Sequence, residues 1–148
     1  MARPWSLCLL GLGLGLFAPA PARAAFDTVV IDTVKTSIYI GNVTLKTTPF
    51  RRTQARFAAD YKARVIPFFF HNEQGSLWVE LTDEQLERLQ RGERVHFTGE
   101  AENEKKEPRR IEGHATPSAP GSPTGRIKVR VFVTPKIELI FNSSYRFE

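Results

Sequence analysis

The run Gln54-Ala55-Arg56-Phe57-Ala58-Ala59-Asp60-Tyr61-Lys62-Ala63-Arg64-Val65 decides the fold class. Small or apolar side chains from Ala55 to Val65 fall on odd numbers, and most of the polar ones fall on even numbers. Successive side chains of a strand point to opposite faces. A period of two therefore predicts a long strand with one face buried. Ile66, Phe68 and Phe70 continue the apolar series on even numbers, with Pro67 beside the switch. A bulge or bend at Val65–Pro67 would reconcile the two phases, and such bends curl a sheet toward a barrel.

Downstream, a loop at Asn72–Gly75 is expected to pair Phe70 with Leu77, Phe68 with Val79 and Ile66 with Leu81. The opposite face of that hairpin would set Phe69 against Trp78. A turn within Asn103–Glu107 folds the next two strands about Lys105. It pairs Phe97 with Gly113, Gly99 with Ile111, Glu100 with Arg110 and His96 with His114. Large faces small twice, as a tightly curved interior requires. Pro117–Gly125 reads as a flexible loop. After it, the turn Thr134-Pro135-Lys136 is expected to pair Val133 with Ile137, Val131 with Leu139 and Val129 with Phe141. Upstream lie a strand region at Thr36–Thr47 around Gly41 and a shorter strand at Phe26–Ile31.

One helix interrupts this series. Thr82 and Gln85 have the spacing of a capping box, Asp83 and Glu84 suit a helix start, and Gly92 suits a stop. The helix is placed at Asp83–Arg91, lying on the sheet through Leu86 and Leu89. The sum is an all-β domain: a small antiparallel barrel or strongly curled sheet of seven to eight strands with one short helix. The order of elements over Thr36–Thr116 resembles an OB-fold core with an added final hairpin. An eight-strand lipocalin-like barrel is the alternative.

Arg3, the apolar stretch Leu7–Phe17 and the small residues of Ala22-Arg23-Ala24 have the layout of a secretory signal peptide. The expected organisation is a signal over residues 1–24 and a single barrel-like domain over 25–148. The mature chain would start at Ala25, outside the cytoplasm, secreted or periplasmic. Cleavage removes Cys8, the only cysteine, so the mature domain cannot form a disulfide and depends on packing. It also removes Arg3 and Arg23, taking the net charge from +5 to +3. That excess falls short of a nucleic-acid-binding signature. No apolar run in the mature chain reaches the ~20 residues of a spanning helix.

No nucleophile elbow, zinc-protease motif or phosphate-binding glycine loop is present in the mature chain, and no cofactor is implied. The expectation is therefore a non-enzymatic domain. His96 and His114 are cross-strand neighbours, but two imidazoles fall short of the three or four ligands of a stable metal site. Two surfaces stand out as binding candidates. Phe69 and Trp78, if exposed together, could stack on a ligand; the competing reading is that the helix covers them. Arg126, Lys128 and Arg130 form a basic row that could meet an anionic partner or simply protect a strand edge. The terminal Tyr145-Arg146-Phe147 resembles the aromatic end of outer-membrane barrels, although Glu148 follows it and the strand faces are charged. The expected role is binding of a protein partner, an envelope glycan or a small apolar ligand. The alternative is an envelope structural or membrane-associated β-barrel.

Overall fold

The computed structural model describes residues 27–148. The expected signal at Met1–Ala24, Cys8 within it, and the expected strand start at Phe26 lie outside the described residues. Ten strands form one antiparallel sheet: β1 (Thr28–Ile31), β2 (Val34–Ile38), β3 (Gly41–Thr47), β4 (Phe50–Thr53), β5 (Arg56–Ile66), β6 (Glu73–Glu80), β7 (Val95–Asn103), β8 (Pro108–Pro117), β9 (Thr124–Thr134) and β10 (Ile137–Phe147). Eight of them close a ring in the order β1-β4-β5-β6-β7-β8-β9-β10, with β10 returning to β1 through Val29 opposite Phe147.

β3 and β4 share one edge of β5. β4 pairs with Arg56–Ala58, and β3 pairs with the stretch from Tyr61 to Ile66. Pro49 cannot donate to the ladder, and the chain breaks there. Thr48 bridges the gap through its backbone N–H to the Asp60 carbonyl at 2.9 Å. β2 extends the sheet beyond β3. The result is an up-and-down barrel like that of the lipocalin-like alternative. The OB-like reading is corrected, because its Greek-key crossing is absent and from β4 to β10 each strand pairs with the next in sequence.

The alternation in β5 places Phe57, Ala59 and Tyr61 inside, as its period requires. The register of β7 with β8 is the expected one, including Phe97 opposite Gly113 and Gly99 opposite Ile111. Val131 faces Leu139 and Val129 faces Phe141, but Ile137 lies opposite Thr134 instead of Val133. An irregularity between Ile137 and Glu138 absorbs the difference, and the Thr134 hydroxyl accepts the Ile137 N–H at 3.0 Å.

The β5–β6 hairpin differs from expectation. β5 ends at Ile66, Phe69–His71 form a single 3₁₀ turn, and β6 starts at Glu73. Leu77 pairs with Ala59, Trp78 with Ala58 and Val79 with Phe57. The apolar stretch 66–70 is therefore a connection between strands, and Phe69 does not face Trp78.

Helix α1 (Asp83–Gln90) carries the expected capping box, with Thr82 and Gln85 exchanging bonds, and Gly92 leaves it at φ 88°. It lies between β6 and β7 and closes one end of the barrel. Leu86 and Leu89 are buried in the main core, so the helix is a core element and not a surface one. The Arg52–Asp83 ion pair ties it to β4, and the Gly121 N–H to the Gln90 carbonyl at 2.7 Å ties it to the β8–β9 loop.

Candidate functional site

The barrel encloses a cavity of about 760 Å³. That lies within the range of small-molecule pockets, ~300–1,000 Å³. An eight-strand barrel is just wide enough to be filled by side chains or to hold one small ligand, so residue size decides between the two. The closed half is filled by Phe50, Phe57, Phe97 and Tyr145 together with Leu86 and Leu89 of α1. The half away from the helix is lined by smaller groups, among them Val43, Ala63, Val65, Ala101 and Val133. Space remains where the side chains are short. At the closed end, burial pushes the Tyr145 hydroxyl up to about 12.

The lining is almost wholly apolar, with one polar cluster toward the mouth. Tyr61, Glu73 and Arg109 line the cavity there, backed by Asn103 and Glu107. The Tyr61 hydroxyl donates to Glu73 at 2.9 Å. Arg109 Nη2 reaches Glu73 at 3.3 Å and Glu107 at 2.9 Å. The buried Asn103 amide donates to the same two carboxylates, at 3.4 and 3.2 Å. Burial, and then the bond to Glu73, raises the Tyr61 hydroxyl above its ordinary range. Burial works against the Arg109 cation, but the two carboxylates outweigh it and raise its pKa. Among the described residues, Arg109 Nε is the one buried side-chain polar atom without a partner. The sequence analysis missed this cluster; the inward parity of Glu73 with Leu77, and of Arg109 with Ile111, is the signal that would have found it.

The expected site residues lie apart. Phe69 sits in the β5–β6 connection at the open end and is 74% exposed. Trp78 is half-buried on the outer wall of β6, beside Arg56 at 6.0 Å from the ring centroid. It is not covered by α1, which turns instead into the end of the barrel. Arg126, Lys128 and Arg130 are exposed on the outer wall of β9. Arg130 there is within 3.6 Å of Glu138.

The His96 and His114 rings are 5.6 Å apart on the outer wall. Their neighbours include Arg94 and Lys128, which oppose cation binding. Among the described residues no group of three or more potential metal ligands is found. Burial, and then the charges of Arg94, His96 and Lys128, hold the His114 pKa below its ordinary value. The unfolded chain therefore takes up this proton first as pH falls. Stability is expected to decline below about pH 6.5, and His114→Gln should flatten that decline in denaturant melts at stepped pH. An unaltered pH profile would exclude His114 as the source.

Compared with known proteins, the chain matches no family model, and no curated protein or solved structure matches it.

Proposed function

We propose that this protein is an exported, non-catalytic binder of an apolar small molecule, which it holds inside the barrel. The supporting observation is the cavity of about 760 Å³, apolar over most of its wall and opening at the end opposite α1. An apolar space of this size is a favourable place for a hydrocarbon chain, because each buried methylene contributes ~0.8 kcal/mol. Tyr61 and Arg109, at the mouth, are placed to hydrogen-bond a polar end of such a ligand. The outer walls also favour this reading over a bilayer-spanning barrel. Arg126, Lys128 and Arg130 on β9 face outward, where a spanning barrel would present an apolar band.

A neutral fluorescent aromatic amine, N-phenyl-1-naphthylamine, tests the reading. Titration should give saturable brightening at one probe per chain. Val131 lines the cavity between Ile111 and Leu139, so Val131→Trp should project an indole into it and weaken the probe at least about tenfold, ~1.4 kcal/mol. Circular dichroism would check that the variant remains folded. Probe binding that is absent, or equal in a folded Val131→Trp variant, would rule out the cavity as the site.

A further inference from the structure

The large apolar residues most exposed on the described surface are Tyr39, Ile40, Ile66, Phe69, Phe70 and Ile137. Scattered exposed apolar side chains would mean little, but these six share one place. Tyr39 and Ile40 form the β2–β3 turn, Phe69 and Phe70 the β5–β6 connection, and Ile137 follows the β9–β10 turn. All three connections lie at the open end, around the cavity mouth. The fourth connection at that end, between β7 and β8, is the charged stretch Glu104-Lys105-Lys106-Glu107. At the opposite end the connections carry no exposed large apolar side chain among the described residues.

The outer wall below the two aromatic tips is dominated by cations, and acids enter only at its lower edge, where Asp60 and Glu104 share a groove with Lys46 and Lys62. Lys35 and Arg64 both flank Thr44 across the ladder, and Lys46 lies opposite Lys62. All four are exposed, and among the described residues none of them is in an ion pair. The remaining outward residues of this flank are Ser37, Asn42, Thr44 and Ile66, so no acid interrupts it above Asp60. This contrasts with the basic row of β9, which has Glu138 beside it. Aromatic tips over unpaired cations match the two layers of an anionic bilayer surface: an apolar boundary that takes Tyr and Phe, and phosphates that take Lys and Arg.

We propose that the barrel docks mouth-first on anionic bilayers, leaning on its β2–β3–β5 flank. Tyr39, Ile40, Phe69 and Phe70 enter the interface, and Lys35, Arg64, Lys46 and Lys62 meet the headgroups. Strands rise ~3.3 Å per residue, so Arg64 lies ~7 Å from the end of β5 at Ile66 and Lys62 ~13 Å. The lean brings the lower pair within a Debye length of the surface, ~8–10 Å. Docked this way, the cavity opens onto the membrane and not onto water. The proposal adds to the cavity reading without depending on it.

Cosedimentation of residues 25–148, which contain the whole closed sheet, with lipid vesicles tests it. Vesicles of phosphatidylcholine alone should retain little protein. Vesicles containing phosphatidylglycerol should retain it, less so as salt rises. Phe69→Ser/Phe70→Ser and Lys35→Gln/Arg64→Gln should each weaken partitioning at least about tenfold. These four side chains are exposed, so both variants should keep the wild-type melt. Arg126→Gln/Lys128→Gln on the far wall should bind as wild type does. N-phenyl-1-naphthylamine titration of the same variants should stay unchanged, which separates failure of docking from failure of the cavity. Wild-type protein left in the supernatant with both vesicle types would overturn the proposal, and the rim would then read as a protein-docking surface. Equal retention of wild type and both rim variants would overturn it as well.

Discussion

Gly113→Val is expected to cost about 3 kcal/mol, the upper part of the range for overpacking a filled core. A Cβ built at Gly113 lies 2.6 Å from the Lys128 carbonyl oxygen and 2.6 Å from the Phe97 ring. The ring is 7% exposed and sits in the filled half of the barrel, so it has little room to swing. The carbonyl belongs to β9 and is fixed by its ladder. Valine adds two methyl groups beyond that Cβ. A lowered urea midpoint with an unchanged slope is the expected result. An unchanged midpoint would mean that β8 can shift outward at this point.

Arg109→Ala is expected to cost a similar amount, about 3 kcal/mol, by leaving Glu73 without its cation. The Arg109 and Glu73 side chains are 12% and 23% exposed, which makes their charges costly to separate. Glu107 is half exposed and can turn to water, so the effect belongs at the lower end of the range for a buried pair. Thermal melts of Arg109→Ala, Glu73→Gln and the double variant decide the matter. The double variant should recover much of the loss, because the one carboxylate left without Arg109, Glu107, is half exposed and can be hydrated. Purely additive losses would show that the residues act through packing alone.

The elements visible in the sequence were those whose burial pattern is regular. β5 alternates because one face meets the core. The β7–β8 register could be worked out because Gly99 and Gly113 are small where Ile111 and Phe97 are large. The helix ends were marked by Thr82, Gln85 and Gly92, whose local chemistry is independent of tertiary contacts. The stretch Ile66–Phe70 misled for a physical reason. Ile66 and Phe70 were read as strand residues on the core face, yet they are exposed at the mouth beside Phe69. That false strand shifted β6 and set Phe69 against Trp78. β4 was hidden by its brevity and by Arg51 and Arg52. The cavity was hidden too, since alternation shows which side chains point inward but not whether they meet across the barrel. Glu73 and Arg109 occupy inward positions where apolar residues are the rule, but the reading of Asn72–Gly75 as a loop took Glu73 out of its strand and hid the polar side of the mouth.

The sheet is closed by its first and last strands, with Val29 beside Phe147 and Ile31 beside Tyr145. Every other pairing in the ring joins strands near one another in the chain and closes a short loop. The closing pair does not. Until residues 145–147 pair with β1, β1 and β10 present open edges of the kind that recruit other chains. The domain is therefore most vulnerable to aggregation just before this pair closes. Three residue pairs at the end of the barrel away from the mouth determine whether the sheet is a sealed cylinder or a sticky ribbon.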